Sequence, residues 1–342
     1  MQNAIQRHIT YIRALVQQGG PTPAQYADLE ARMGHLCGLI HDGTATESDV
    51  ADLRAAFGDA ISPATLQGLV YCKPHGYAGD YQIIDRIYQN HVAPDPQLAA
   101  WDKFFHSSAG ARAVRNRKAY FHRLLDHHVQ RRNPLRVLKL ASGPGRSMFE
   151  WLETRPSSSV QFDCVELDPN AIEYASRLNR EFMERIRFTQ KNALRFRPEG
   201  EYDLIWAAGL FDYFPDRLFA HLLKRLLTAI APGGELVIGN FSASNPSQHY
   251  MELFDWSLHL RTAKAISHLA EGCGILPSRI RVGCEPLGVN LFLHVQGDRL
   301  ANATRTPEIL PGVEARLLAQ TTALKRDGSP AYQPKFAPPR TL

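Results

Sequence analysis

A glycine-rich segment, VLKLASGPGRS, carries the clearest chemical signal in this sequence of 342 residues. The segment begins with an apolar run that leads to Ala141. Gly143 and Gly145 then flank a proline ahead of a predicted helix. Small residues let the backbone pass close to a ligand, and the start of a helix offers free N–H groups. The same turn serves dinucleotides and also occurs without a ligand, so the segment predicts a binding loop only in combination with other residues.

Two polar residues follow the next two predicted strands. Glu166 ends VQFDCVEL about twenty residues beyond the loop, where a carboxylate can accept hydrogen bonds from a ribose diol. Asp168 is expected to cap the following helix. Asn192 follows IRFTQ, and its amide can read an adenine edge while Ala193 offers a backbone N–H. Each residue alone fits a solvated strand end or a local turn equally well.

The runs around these residues predict the elements that position them. LRVLKLA, VQFDCVEL, IRFTQ, YDLIWAA and ELVIGNF are short apolar runs typical of buried strands, with helical segments between them. RIRVGCEP and NLFLHVQ add two strands joined by a short connection. This order predicts an α/β fold with a seven-stranded, mostly parallel sheet that ends in an antiparallel pair.

Helical periodicity dominates the residues before this sheet, beginning with apolar residues at helical spacing from Ile5 to Val16. Further helices are predicted over 24–40, 47–57, 81–90 and 109–129. We expect three parts: a helical N-terminal domain at 1–132, a sheet domain at 133–297 and a C-terminal tail at 298–342. One helix is predicted in the tail, over 312–324.

Composition and charge argue against several classes of protein. The net charge is only +5 and no long basic run exists, so nucleic-acid binding is not expected. No apolar run reaches about eighteen residues, and no membrane span is predicted. The scattered cysteines and the absence of a signal-peptide core favour a cytoplasmic protein with reduced thiols. Cys72 and His75 have too few neighbouring ligands, so no metal is expected.

In order and spacing, VLKLASGPGR, VELDP, KNAL, EYDLIWAAGLFDYFPD and APGGELVIGNF resemble the motifs of class I S-adenosylmethionine-dependent methyltransferases. The resemblance covers residues 134–297 and implies a Rossmann-like sheet that binds S-adenosyl-L-methionine. It implies that the loop glycines face the methionine part, the carboxylate the ribose, and the Asn–Ala pair the adenine. The expected cofactor-binding residues are Ala141, Gly143, Gly145, Glu166, Leu167, Asn192, Ala193, Ala208 and Arg117.

Lys139 departs from the family pattern, which carries an acidic residue at this position near the amino group of the cofactor. A cation there should repel the ammonium. It could instead pair with the cofactor carboxylate or an anionic substrate, or act as a base if burial lowers its pKa. The alternative is that Lys139 points away from the ligand, because lysine tips usually seek water.

A narrower resemblance involves YCKPHGYAGDYQIIDRIY, AAGLFDYF and MELFDWSLHLRT. These segments are similar to bacterial methyltransferases of 3-hydroxypalmitic acid methyl ester biosynthesis, which make a fatty-acid-derived quorum signal. This extends the resemblance to residues 70–297 and implies that the helical part is a lid. The same group includes enzymes that cyclise the cofactor into azetidine-2-carboxylate, so the resemblance predicts fold and cofactor better than substrate.

Methyl transfer requires that acceptor, methyl and sulfur are aligned and that water is excluded. Tyr77 in the lid loop and Asp212 with Tyr213 after the fourth strand are placed to orient an acceptor or to contact the sulfonium by cation–π interaction. With Lys139 they form the predicted catalytic set. The cations available to an anionic acceptor are Lys139, His75, Arg115, Arg117 and Arg261.

The leading hypothesis is an enzyme of small-molecule biosynthesis that methylates a carboxylate or hydroxyl of an acyl-type acceptor. One alternative is intramolecular cyclisation of the cofactor with release of methylthioadenosine, which a like charge at Lys139 would favour by keeping the cofactor amine neutral. The other is a cofactor-binding sensor without turnover. The sequence does not predict the identity of the acceptor or the oligomeric state.

Overall fold

The computed structural model describes residues 2–298, which form twelve α-helices and one seven-stranded sheet. The helices are α1 (Gln2–Gln17), α2 (Tyr26–His41), α3 (Glu47–Ala56), α4 (Leu66–Cys72), α5 (Tyr81–Gln89), α6 (Pro96–Ser107), α7 (Ala109–Val129), α8 (Arg146–Glu153), α9 (Pro169–Leu178), α10 (Asp216–Leu227), α11 (Gln248–Leu253) and α12 (Ala263–Glu271). The strands are β1 (Leu135–Leu140), β2 (Val160–Glu166), β3 (Ile186–Gln190), β4 (Tyr202–Ala208), β5 (Ile230–Phe241), β6 (Ile280–Cys284) and β7 (Asn290–Gln296).

The sheet has the order β3-β2-β1-β4-β5-β7-β6. Strands β1 to β5 are parallel, whereas β7 is antiparallel to both β5 and β6. This confirms the predicted α/β fold with a terminal antiparallel pair. The strand order reverses between β1 and β4, and the crevice beyond the carboxyl ends of strands at such a point is where α/β sheets bind ligands.

Local sequence explains several of the element boundaries. The Asp80 side chain accepts hydrogen bonds from the backbone of Gln82 and Ile83 and so caps the first turn of α5. Asp168 caps α9 in the same way. Strand β5 begins earlier than predicted, at Ile230, because this residue pairs with Tyr202 ahead of an irregularity in register. The helix predicted over 312–324 lies outside the described residues.

The N-terminal helices share one hydrophobic core with the segment that follows β5. Phe57 illustrates this, since its ring packs edge-to-face on Trp101 of α6 and on Phe254, with centroids 5.5 and 5.3 Å away. Burial of each such ring contributes about 1.5–3 kcal/mol. The helical layer is therefore completed by residues that come after the fifth strand. Among residues 2–298, no helix combines the length and apolarity that a membrane span requires.

Candidate cofactor and catalytic site

A cavity of about 560 Å³ opens at the carboxyl ends of the parallel strands, between the sheet and the N-terminal helices. Every residue predicted for cofactor binding or catalysis lines it: Tyr77, Arg117, Lys139, Ala141, Gly143, Gly145, Glu166, Leu167, Asn192, Ala193, Ala208, Asp212 and Tyr213. These residues are far apart in the chain, and the parallel order of β1, β2 and β4 brings them to one edge.

The glycine-rich loop, residues 141–146, forms one wall of the cavity. Gly143 has a φ of +58°, a left-handed conformation that favours glycine, and a Cβ added there would meet no atom within 4 Å. The space beside Gly143 is therefore open to a ligand. Gly145 instead lies against Asn179 and Ala175, so that it also packs the loop onto α9.

Glu166 locks this loop to the end of β2. Its Oε2 accepts a hydrogen bond from the Gly143 N–H at 2.8 Å, and its Oε1 accepts from the N–H groups of Leu167 and Asp168 at 2.8 and 3.2 Å. Three of a carboxylate's roughly four acceptor positions are thus used by the backbone. The remaining position, on Oε2, is available to a hydroxyl group such as that of a ribose.

Asn192 lines the cavity, but its side chain also makes a local turn. Its Oδ1 accepts a hydrogen bond from the Leu194 N–H at 2.8 Å. Because Oδ1 is engaged in this turn, the side-chain NH₂ group is the part of Asn192 that remains to contact a ligand.

Lys139 lies under the loop, with only 6% of its surface exposed. Its Nζ donates a hydrogen bond to the Ser142 carbonyl oxygen at 2.7 Å. Burial lowers the pKa of the amine to about 8. Lys139 therefore does not extend into water, because β1 is a central strand of the sheet.

Arg117 of α7 is 5% exposed and lines the cavity. Its guanidinium makes no hydrogen bond or ion pair within residues 2–298, although its charge lowers the pKa of Asp212. The group lies against Gly209 at the end of β4, where an added Cβ would come within 2.7 Å of Nη1. A buried arginine without a partner is costly, so this group calls for an anion from a ligand. Gly209 was not singled out from the sequence, and its only signal is a glycine directly after a strand.

Asp212 and Tyr213 form the wall beyond β4. Asp212 is 1% exposed and accepts a hydrogen bond from the Phe241 N–H. Burial raises the pKa of its carboxyl to about 6, against the opposing effect of Arg117 and Arg261. The Tyr213 hydroxyl accepts a hydrogen bond from Trp256 Nε1 at 2.9 Å.

The loop before α5 covers the outer side of the cavity. Tyr77 donates a hydrogen bond from its hydroxyl to Asp168 Oδ2 at 3.3 Å, and it is 36% exposed. Gly79 of the same loop lies against the Tyr213 hydroxyl. The loop therefore spans from the ribose side of the predicted cofactor site to the wall beyond β4.

Two of the cations predicted to meet an anionic acceptor are bound elsewhere. Arg261 donates to Asp216 at 2.8 Å and to Asn240 at 2.7 Å, and it does not line the cavity. Arg115 donates to the His106 ring and carbonyl, both at 2.9 Å. Both predictions are wrong because these guanidiniums are already used by protein groups. His75 does line the cavity.

The side of the cavity next to α5 and α7, called the lid side below, is formed largely by apolar and aromatic residues that were not predicted: Ile84, Tyr88, Val114, Phe121, Phe241 and Leu258. Those on α5 could have been found from their spacing, since Tyr81, Ile84 and Tyr88 share one helical face.

The comparisons with known proteins agree with this geometry. A family model described as a methyltransferase domain matches residues 137–234. The structure of a possible exported protein from Bordetella parapertussis has a TM-score of 0.55 at 18% identity, covering 87% of this chain and 96% of that one. At 18% identity, the similarity to this structure concerns the fold alone.

Two structures with bound ligands are also similar. The N-methyltransferase NodS from Bradyrhizobium japonicum, in complex with S-adenosyl-L-homocysteine, is 15% identical with a TM-score of 0.42, covering 64% of this chain and 97% of that one. Magnesium protoporphyrin IX methyltransferase from Synechocystis, with bound S-adenosylmethionine, is 12% identical with a TM-score of 0.42, covering 55% and 83%.

The residues around the cavity also fit S-adenosyl-L-methionine on their own chemistry. The space beside Gly143 gives room for the ligand, and the acceptor position on Glu166 offers a hydroxyl contact. The two buried cations, Lys139 and Arg117, offer positive charge for its carboxylate. Residues 137–234 therefore match a methyltransferase domain on a sheet of class I order, and the cavity residues fit S-adenosyl-L-methionine as its cofactor.

Proposed function

We propose that this protein methylates the carboxylate of a small acyl-type molecule. The observation that carries the proposal is the buried guanidinium of Arg117, which has no partner among the described residues and lies beside Gly209 in the cavity wall. Lys139 is a second buried cation at the cavity, and within residues 2–298 its side chain donates only to the Ser142 carbonyl oxygen. The cofactor brings one carboxylate, so two cations leave one for an acceptor.

The lid side of the cavity supports an acyl-type acceptor. Ile84, Val114 and Leu258 lie there with Phe121 and Phe241. Burying an aliphatic chain against such a surface is favourable by about 25 cal/mol per Å² of apolar area removed from water. Burying a polar molecule there brings no such stabilisation. A carboxylate at Arg117 with its chain along these residues would match both parts of the cavity.

The chemistry leaves a modest task to the protein side chains. S-adenosyl-L-methionine, when bound, supplies a methyl group on a positively charged sulfur. A carboxylate acceptor is already ionised near neutral pH and needs no base. Tyr77 and the loop around it exclude water. Asp212, whose pKa is about 6, can accept a proton if the acceptor is a hydroxyl instead.

The test is product formation by the purified protein with labelled cofactor and a series of fatty acids and 3-hydroxy fatty acids. We expect adenosylhomocysteine only when an acceptor is added, with a preference for chains long enough to reach the lid residues. Adenosylhomocysteine formation that does not depend on acceptor length would contradict the acyl assignment.

A second candidate, cyclisation of the cofactor to azetidine-2-carboxylate, is favoured by Lys139. Its buried positive charge, at a position where the family carries an acid, lowers the pKa of a neighbouring amine. Incubation with the cofactor alone distinguishes the two reactions. Methylthioadenosine with a four-membered ring amino acid would replace the methyl-transfer proposal. Binding without any product would indicate a sensor.

A further inference from the structure

We propose that Cys37, His249 and Glu252 form a metal site, suited to Zn²⁺, between α2 and α11 and outside the cofactor cavity. One donor atom from each residue lies within 4.8 Å of the other two. None of the three residues lines the cofactor cavity. This inference is independent of the reaction proposed above.

The two helices present the donors to each other. Helix α2 carries Cys37 and, one turn later, His41, while α11 carries His249 and Glu252 three residues apart. Residues three or four apart lie on one helical face. The helices pack together, and the His41 Nε2 lies 3.4 Å from Glu252 Oε2. His41 therefore lies next to the group on its Glu252 side.

The donor types select the metal. Thiolate and imidazole are ligands of Zn²⁺ and related transition metals, whereas Mg²⁺ and Ca²⁺ take oxygen ligands. At zinc–ligand distances of about 2.0–2.3 Å and a tetrahedral angle, donors are about 3.3–3.6 Å apart. The observed group must therefore close by about 1 Å. The exposed His249 and the half-buried Glu252 can move that far by side-chain rotation.

The surrounding bonds orient the ligands. Glu252 Oε1 accepts a hydrogen bond from Gln248 Nε2 at 2.7 Å, which holds the carboxylate in place. Its Oε2 is buried and receives no hydrogen bond from the described residues, and its ion-pair contact is the His41 Nε2 at 3.4 Å, so this oxygen remains able to bind a cation. Cys37 Sγ donates a hydrogen bond to the His249 carbonyl oxygen at 3.1 Å. Binding releases that proton to water, because only the thiolate is a ligand.

The position of the site predicts a structural rather than a catalytic role. Helix α11 leads directly to Phe254 and Trp256, and the Trp256 Nε1 holds the Tyr213 hydroxyl at the cavity. A metal would fasten α2 to this segment. The metal would bind the folded chain, in which the three donors lie close together, and not the unfolded chain. Metal binding should therefore raise the melting temperature.

The test uses full-length protein stripped of metal and titrated with Zn²⁺ against a chromogenic chelator. We expect one Zn²⁺ per chain, a higher melting temperature with Zn²⁺, and no change with Mg²⁺. Co²⁺ in place of Zn²⁺ should give the near-ultraviolet charge-transfer absorption of a thiolate ligand. Cys37→Ser should abolish that absorption, and Cys37→Ser and Glu252→Gln should each weaken zinc binding at least about 10-fold.

Matched controls separate ligand loss from general damage. Cys72→Ser removes an exposed thiol and His268→Gln an exposed imidazole elsewhere, and both should bind Zn²⁺ like the wild type. Retained S-adenosylhomocysteine binding shows that a variant is folded. If Cys37→Ser fails to fold, His249→Gln decides, because its ring is exposed. Wild-type zinc affinity in His249→Gln, or no stoichiometric binding by the wild type, would overturn the site.

Discussion

Arg146 and Asp85 form a two-bond ion pair, with Nε 2.5 Å from Oδ1 and Nη2 3.0 Å from Oδ2. Asp85 is 3% exposed and also accepts a hydrogen bond from the Tyr174 hydroxyl at 2.6 Å. Arg146 directly follows Gly145, whereas Asp85 belongs to α5, which borders the cavity from the N-terminal helices. The pair therefore ties the glycine-rich loop to α5.

Asp85→Asn tests this tie. It leaves the guanidinium of Arg146 largely buried without its counter-charge, which should lower the free energy of unfolding by about 3–5 kcal/mol. S-adenosylhomocysteine binding should weaken as well, because the loop loses its anchor. Urea denaturation and calorimetric titration measure the two effects.

The control for Asp85→Asn is a variant of a solvent-exposed ion pair. Glu173 and Arg177 of α9 approach to 3.6 Å with more than half of each side chain exposed. Glu173→Gln should therefore cost less than about 1 kcal/mol. Equal losses in the two variants would show that burial of the Asp85 pair has no special effect.

Glu166→Ala should weaken S-adenosylhomocysteine binding by about 1–3 kcal/mol, since a charged hydrogen bond to the ligand is lost. The Gly143 N–H loses its acceptor at the same time, so the loop should also become less ordered. Calorimetric titration gives the affinity, and Glu153→Ala, at an exposed position on α8, serves as the control. Unchanged affinity would remove the ribose assignment of Glu166.

Lys139→Met separates the possible roles of the buried amine. The pKa of Lys139 is about 8, so the wild type should lose affinity for S-adenosylhomocysteine as the pH rises through that value, if the cation pairs with a carboxylate. Lys139→Met should bind more weakly below pH 8 and should lack this step. The ligand's own amine titrates in both proteins, so the difference between the two profiles reports Lys139. Identical profiles would show that Lys139 does not meet the ligand.

The same variant has a second consequence, for stability. Burial lowers the pKa of Lys139 in the folded chain below its usual value of 10.5, so the unfolded chain holds the proton more tightly between about pH 8 and 10.5. Wild-type stability should therefore rise with pH across this window. Lys139→Met should remove that rise, as urea denaturation at several pH values would show.

Much of the fold follows from local sequence, but the pairing of distant residues does not. Alternating strands and helices predicted the sheet, and the end of β2 predicted Glu166, because the carboxyl ends of parallel strands meet at one edge. The Asp85–Arg146 pair joins residues 61 apart, and no local pattern reports it. Arg261 was misassigned for the same reason. Its partner Asp216 is 45 residues away.

Tyr77→Ala should reduce turnover more than stability. The side chain is 36% exposed and its hydrogen bond to Asp168 is long at 3.3 Å, so little stabilising contact is lost. The loop above the cavity should then admit water. Tyr77→Phe separates the ring from the hydroxyl, and product formation is compared with melting temperature in both variants. A large fall in melting temperature with normal turnover would instead assign Tyr77 to packing.

A buried polar network between α7 and strands β5 and β7 predicts sensitivity to acid. Glu235 accepts from His294 Nδ1 at 2.8 Å and interacts with His128 Nε2 at 3.0 Å, while the Tyr120 hydroxyl lies 2.7 Å from His294 Nε2. Burial lowers the pKa of His294. Burial alone would raise the pKa of Glu235, but attraction to His294 and the bond from His128 outweigh it and lower that pKa.

Both shifts act in the same direction. The unfolded chain takes up protons on His294 below about pH 6.5 and on Glu235 below about pH 4.5, where the folded chain resists them. Stability should therefore fall from about pH 7 to pH 4. Glu235→Gln should cost about 1–3 kcal/mol at pH 7 and should flatten the fall below pH 4.5, because one of the two titrating groups is gone. Urea denaturation at about pH 7, 5.5 and 4 measures this, with the exposed Glu153→Gln as control. A steeper fall in Glu235→Gln than in the wild type would mean that the carboxylate protects the network from protonation rather than contributing to its loss.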